Sequence, residues 1–320
     1  MASNKRLKKD FIVNFRGIRG SYPVSGKNYI KYGGDTTCYE IIAGECTIIV
    51  DAGTGIVNTG EDMMNKYLKS GKNPSSRTPI EAIILFSHYH VDHLQGLPFF
   101  TPIYLPDSTF YMYGPDTSDF TFEEVLTQYI SAPYFPVTWK DMHSLKIFRS
   151  ISQAETIYWG PDKGIPSVVN NLRETDRKNR IEQDSPIRIS VMKSYAHPNE
   201  GVKVFKIEYN NKSVVIATDV EGYISGDTRL INFSKGVDLL IHDAGYLSEV
   251  YNSKDACKQG YGHSTMEMAV QVAKKAKVKK LALVHHEPTN VDKVVDAVER
   301  KAKKLFPNVF AAFEGQVVKL

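Results

Sequence analysis

Three imidazoles and a carboxylate fall within one short stretch, at His88, His90, Asp92 and His93, directly behind the apolar run at 83–87. Neutral imidazole and carboxylate are the donors that zinc, iron and manganese accept, and the end of a core strand is a rigid place to hold them. Only nine histidines occur in the chain, so their crowding here points to half of a metal site. Such a site needs more ligands, and later apolar runs end in candidates. His197 follows the run at 187–195, Asp219 that at 213–218, His242 that at 237–241, and His285 and His286 that at 281–284. Each stands at the C-terminal end of a β-run, as expected if several strands present ligands along one edge.

The elements that must carry these residues alternate in type. Short β-rich runs at 11–15, 39–43 and 47–50 come first, the last two joined by a hairpin turn at 44–46. Asp51 closes the third run, a helix is expected over 58–68, and the strand at 80–87 delivers the histidine motif. Further strands are expected at 110–113, 187–195, 202–209, 213–218, 237–241, 281–284 and 309–313, with Asn210 and Asn211 turning one hairpin. Helical periodicity marks 122–130, 264–276 and 291–305. Strands therefore run in two batches, each ending with helices, which predicts two sheets face to face with helices outside. The expectation is one domain over 1–320, with an aromatic and proline-rich segment at 94–159 and a polar insertion at about 160–186 that reads as a lid or interface.

Composition narrows the class. The apolar share of 42% and charged share of 24% are those of a globular protein. The formal charge of +4 is small, and its surplus lies in Lys5, Arg6, Lys8 and Lys9 and in Lys274, Lys275, Lys277, Lys279 and Lys280, runs of a kind usually solvated. Cys38, Cys46 and Cys257 are too few and too scattered for a disulfide framework or a thiolate metal site. No apolar run reaches membrane-spanning length, so a cytoplasmic protein without membrane partners is expected.

The order His88, His90, Asp92, His93, then His197, Asp219 and His285, resembles the metallo-β-lactamase superfamily of binuclear metallohydrolases. The resemblance implies an α+β four-layer αββα sandwich with the metals at one edge of two mixed sheets. It further implies that His88, His90 and His197 hold one divalent ion, that Asp92, His93 and His285 hold the other, and that Asp219 bridges them. Asp51 is similar to the family's buried structural aspartate. Relatives that bind two irons for oxygen or nitric oxide chemistry carry Glu where His90 stands, so imidazole here favours hydrolysis and two zinc ions, with manganese or iron as the other candidates. Two adjacent divalent ions lower the pKa of a bridging water, position it, and neutralise charge developing on a phosphoryl oxygen.

The substrate class rests on Gly262, His263, Ser264, Thr265, Met266 and Glu267. Ser264 and Glu267 have capping-box spacing, which starts a helix there and sets His263 at its positive end, placed to meet a phosphate and protonate a leaving alkoxide, with Asp243 orienting the ring. These residues resemble the phosphodiesterase branch of the superfamily, which includes bacterial cyclic phosphodiesterases and the tRNA 3′-processing endonuclease. In the endonuclease Glu commonly stands at the position of Asp243. The stretch Arg16 to Ser21, with Tyr32 to Cys38, resembles bacterial cyclic-nucleotide phosphodiesterases. The catalytic candidates are thus Asp92, His263 and Asp243, and His263, Thr36 and Thr37 are the expected substrate contacts. A small cyclic phosphodiester, such as a cyclic nucleotide, is the expected substrate. An RNA substrate and a non-catalytic nucleotide sensor are the competing readings. Tyr129, Tyr134, Phe135 and Trp139 are expected in the core or at a homodimer interface rather than stacked on a base.

Overall fold

The computed structural model describes residues 10–160, 164–173, 185–223 and 225–320. Its strands form two sheets. The first has the order β15-β1-β2-β3-β4-β5-β6, built from Phe11–Gly17 (β1), Cys38–Ala43 (β2), Cys46–Val50 (β3), Ile80–Leu85 (β4), Ser108–Gly114 (β5), Leu145–Ser150 (β6) and Val317–Lys319 (β15). The second has the order β14-β13-β12-β11-β10-β9-β7-β8, built from Glu155–Trp159 (β7), Ser167–Asn170 (β8), Ile187–Ser194 (β9), Val202–Tyr209 (β10), Lys212–Ala217 (β11), Leu239–Asp243 (β12), Leu281–Val284 (β13) and Val309–Ala311 (β14).

Strand alternation sorts the apolar residues into layers. Val13, Ile41, Ile48 and Leu85 of the first sheet meet Ile189, Phe205, Ile216 and Ile241 of the second in one central core. The opposite face of the first sheet packs Ile49, Ile84 and Phe110 against Ile56–Lys69 (α1) and Phe122–Tyr129 (α2). The opposite face of the second packs Val215, Leu240 and Leu283 against Thr228–Phe233 (α3), Met266–Ala276 (α5) and Asp292–Leu305 (α6), while the short helix Ser248–Tyr251 (α4) precedes α5. This is the four-layer αββα sandwich expected from the chain.

Two parallel blocks build the functional edge. β3, β4, β5 and β6 are parallel neighbours, as are β11, β12, β13 and β14, so their C-terminal ends open on a common edge of the sandwich. The register Val50 opposite Leu85 sets Asp51 beside Ser87, and Asp243 opposite Val284 sets Asp243 beside His285.

Several local expectations are corrected. The hairpin between β2 and β3 turns on Gly44 and Glu45 alone, because Cys46 already pairs with Ala43. Part of the aromatic stretch forms β6 and β7. Within the polar segment at 160–186, β8 pairs with β7 and extends the sheet; 161–163 and 174–184 lie outside the described residues, as do Lys5, Arg6, Lys8 and Lys9. Helix α5 starts later than Ser264: Thr265 is its N-cap, accepting the N–H of Met268 at 3.4 Å. Ser264 instead donates its hydroxyl to Val220 O at 2.6 Å and its N–H to Asp243, and Glu267 pairs with Ser248 and Lys301. The cysteines are free, as expected. Tyr129, Phe135 and Trp139 pack against the core beside α2, whereas Tyr134 is 85% exposed. Among the described residues no helix is long and apolar enough to cross a membrane.

Candidate metal centre

The loop after β4 carries His88, His90, Asp92 and His93 through a single 3-10 turn, Val91–His93. Two groups of ligating atoms converge there, each within 4.8 Å: His88, His90 and His197 form the first, and Asp92, His93, Asp219 and His285 the second. A third overlapping group adds Asp243 and His263 to Asp219 and His285. All but His90 and His263 are buried.

Second contacts fix which nitrogen each imidazole presents. The Ser87 hydroxyl donates to Asp51 Oδ2 at 2.8 Å, so its oxygen accepts the Nδ1–H of His88 at 3.0 Å. Asp51 accepts the Nδ1–H of His93 at 2.9 Å and also the backbone N–H of Ser87 at 2.8 Å. The carbonyl of Gly262 accepts the Nδ1–H of His197 at 3.2 Å. In all three rings this leaves Nε2 as the nitrogen that faces the cluster, ready as a lone pair in His88 and His197 and available in His93 once its proton is released. Nε2 of His197 lies 3.1 Å from Nδ1 of His90. Nε2 of His88 and of His93 are buried without a hydrogen-bond partner, although they face Asp219 oxygens at 3.8 and 3.2 Å. Buried polar atoms without partners cost free energy, and here they crowd around shared points. A divalent ion at each point satisfies them, so the residues fit the metals that the motif implies.

The charge balance agrees. Burial, then the neighbouring imidazole of His93, holds His88 well below the ordinary histidine value, and burial lowers His90 and His197 as well. For His93 burial opposes charge, but Asp219, Asp92 and Asp51 outweigh it and raise the ring well above that value. Burial likewise opposes ionisation of Asp92 and Asp219, and the surrounding histidines overcome it and hold both carboxylates low. The first group is thus a neutral nitrogen cluster, and the second is acidic.

Backbone strain gathers at the same edge. Asp51, Asp219 and His285 have φ of 62°, 56° and 60°, left-handed values unusual for residues other than glycine. Each ends a strand and turns its side chain toward the cluster. Glycine permits the closest approach: a Cβ on Gly20 would lie 2.2 Å from His285 Nε2, and one on Gly262 2.2 Å from His197 Nδ1. Ser21 donates its N–H to Asp92 Oδ2 at 2.9 Å.

His263 stands beside the second group. Its ring stacks on His285 at 4.6 Å and 17°, and its Nδ1 meets Asp243 Oδ2 at 2.8 Å. Asp243 is fully buried, and its Oδ1 accepts the N–H groups of Gly245 and Ser264, each at 3.0 Å. Burial works against a charged His263, yet Asp243, Asp219 and Asp92 push it up to about 9. The shorter aspartate therefore reaches the ring.

The expected substrate contacts Thr36 and Thr37 are both fully buried. Thr36 Oγ1 accepts from the Thr54 N–H and from Gln95 Nε2, and Thr37 Oγ1 donates to Arg19 O at 3.3 Å behind His285. Both hydroxyls face into the protein beneath the site. His242 belongs to none of the ligating groups, and its Nδ1 lies on the carbonyl of Asp243 at 2.8 Å. Ser87, Ser21 and Glu221 had no individual site role in the sequence pattern. The first two directly adjoin named ligands or glycines, whereas Glu221 had no signal beyond lying two residues after Asp219.

Comparison with known proteins places this geometry. The family model described as beta-lactamase superfamily domain matches residues 47–286. Ribonuclease Z of Thermococcus gammatolerans is 30% identical over 295 residues, 85% of this chain and 83% of its own. Ribonuclease Z of Thermococcus sibiricus is 28% identical over 297 residues, 86% of each. Among solved structures, the metallo-beta-lactamase fold protein YhfI from Bacillus subtilis superposes with a TM-score of 0.64 at 19% identity, over 97% of this chain and 100% of that one. The short form of human tRNase Z superposes at 0.58 and 17%, over 96% and 98%. The matched span holds every residue of both ligand groups, and the chain belongs to the beta-lactamase superfamily, within its metallo-β-lactamase-fold hydrolase family.

Proposed function

We propose that the protein is a binuclear metal-dependent phosphodiesterase acting on a small cyclic phosphodiester, a cyclic nucleotide in the first place. The observation that carries this reading is the His263 and Asp243 pair stacked against the ligand His285. Hydrolysis of a phosphodiester expels an alkoxide, and an acid beside a dinuclear centre answers that need. His88, His90 and His197 would hold one cation and Asp92, His93 and His285 the other, with Asp219 shared between them; the nitrogen-rich donor set favours zinc. Bound there, the ions supply an activated water and Lewis-acid stabilisation of the phosphoryl oxygens.

The chain's own groups do the rest. Asp51, Ser87 and the Gly262 carbonyl hold Nδ1–H of three imidazoles and so turn Nε2 of each toward the cluster before any metal arrives. Asp243 holds the Nδ1 proton of His263 and supports its positive charge, which leaves the Nε2 proton for the departing oxygen. Tyr246, edge-on to His263 at 5.5 Å, shields one side of the ring. Exposed Tyr22 and Tyr261 flank the residues that touch Asp92 and His197, and offer aromatic faces to a base.

A second reading, cleavage of RNA near a 3′ end, is favoured by the relatives named Ribonuclease Z, which align over most of the chain. One experiment separates the two. Zinc-loaded protein is assayed against 3′,5′-cyclic mononucleotides, cyclic dinucleotides, bis(p-nitrophenyl) phosphate and a precursor tRNA. Turnover of a cyclic substrate that exceeds cleavage of the tRNA supports the first reading, and the reverse order supports the second. A fully metallated sample inert toward all four refutes both.

A further inference from the structure

We propose that Glu221, which belongs to neither ligand group, is the positioning residue that couples His197 to His263. Glu221 lies two residues beyond Asp219, and its backbone N–H donates to Ala196 O at 3.0 Å, which ties the end of β11 to the loop carrying His197. Its carboxylate then gathers the segment before α5. Oε1 accepts the Tyr251 hydroxyl at 2.5 Å and the Gly260 N–H at 2.7 Å, and Oε2 accepts the N–H groups of Gly260 and Gly262, each at 3.0 Å. No cation pairs with it among the described residues. Backbone N–H groups of a loop are what this charge satisfies, and hydrogen bonds to an ionised acceptor are the strong ones.

The loop so held serves both halves of the centre. Gly262, at φ 88°, presses its Cα against the His197 ring and lends its carbonyl to His197 Nδ1. The next residue is His263, whose ring meets His197 edge-to-face at 5.5 Å. Ser264 is pinned from the other side, to Val220 O and to Asp243. Residues 260–264 are thus strung between two carboxylates, Glu221 and Asp243, and release of the first frees the Gly262 carbonyl and the backbone of His263 together.

The test replaces Glu221 by Gln in the full-length protein. An amide keeps the size but has one acceptor oxygen: with that oxygen at the Oε1 place its NH2 is set against the Gly262 N–H, and with it at the Oε2 place its NH2 is set 2.7 Å from the Gly260 N–H, so in either orientation a donor is turned on a glycine donor. Metal-free protein is titrated with Co2+, reading the visible spectrum and stepwise affinities, with His90→Ala as the reference that marks the first subsite. Expected is a loss of about 10- to 100-fold in affinity at the His88, His90 and His197 subsite, with the other subsite held within about threefold, the scale seen when an outer-shell partner of a ligating histidine is removed. This readout holds whatever the substrate proves to be. The second readout rests on the phosphodiesterase reading: turnover of an alkoxide-leaving substrate falls at least about tenfold more than that of a nitrophenolate-leaving one, since a misplaced acid matters only for the poor leaving group. Unchanged stepwise affinities, or an equal loss at both subsites, overturn the proposal. If Glu221→Gln does not fold, Tyr251→Phe carries the test, because it keeps the carboxylate and removes one donor. A first-subsite affinity lowered about threefold supports the assignment, and an unchanged one overturns it.

Discussion

Replacing Asp243 by Asn probes the acid assignment most sharply, because the surrounding hydrogen bonds dictate how the amide must sit. Oδ1 of Asp243 faces two backbone N–H donors, from Gly245 and Ser264, so the amide oxygen has to occupy that place. Its NH2 then points at His263 Nδ1, 2.8 Å away in the native protein. Two donors cannot meet, so the imidazole gives up the Nδ1 proton and becomes neutral. In metal-free native protein His263 is raised to about 9 and is charged throughout the neutral range; that charge is lost only as pH climbs through the raised value. In the variant the support of Asp243, the largest of the three, is gone, while Asp219 and Asp92 remain and burial still opposes charge, so titration falls well below about 9 and the charged share of the rings at pH 7.5 falls with it. General acids contribute about 10²- to 10⁴-fold. With an alkoxide leaving group, kcat of the zinc-loaded variant should therefore drop about 10²- to 10³-fold, whereas with p-nitrophenolate, which needs no proton, it should stay within about tenfold. The assay compares both leaving groups across pH 6 to 10 and follows the His263 ring by NMR in metal-free protein. The basic limb of the native profile should lie at or below about 9, since bound cations withdraw the same carboxylate charge, and it should move down in the variant. An equal loss with both leaving groups, or a ring that still titrates near 9, would refute the acid role.

Metal loading should release protons unevenly. His88, His90 and His197 are held low and are already neutral at pH 7.5, while His93 is held high by Asp219, Asp92 and Asp51 and must lose its proton to become a ligand. Calorimetry in buffers of different ionisation enthalpy should find about one more proton released on filling the His93 subsite than the other, and equal release would count against the charge assignment. Gly20→Ala should weaken metal binding without altering a polar group, because its Cβ would sit 2.2 Å from His285 Nε2. The expected loss is about tenfold or more at the His285 subsite, by isothermal titration, and native affinity would show that the His285 ring can move aside. Asp51→Asn leaves His93 without the anion on its Nδ1 and should lower affinity at the same subsite by about 10- to 100-fold, read by zinc content after dialysis against a chelator.

Much of this centre is legible along the chain, and the reason is local. A strand buried on both faces reads as an apolar run, and a donor just past it must lie at the sheet's edge, so His88, His93, His197, Asp219 and His285 are found before any coordinates. Helix periodicity places α5 and α6 to within a few residues. Where neighbours compete for one role, the chain alone misleads: Ser264 has the spacing of a cap but is spent on Asp243 and Val220, and Thr265 takes the cap instead. Likewise Thr36 and Thr37 look like contacts for a ligand until the packing of β2 behind His285 turns their hydroxyls inward.

Sequence by itself determined the candidate donors, the strand ends that carry them and the layered architecture, because each follows from residue type and short-range period. Tertiary structure alone decided how the donors meet. Sheet order and register bring His90 within 3.1 Å of His197, 107 positions away, choose Ser87, Asp51 and the Gly262 carbonyl as the acceptors that set the tautomers, and place Asp243 under His263. Those contacts depend on which strands lie side by side, and no local pattern encodes that.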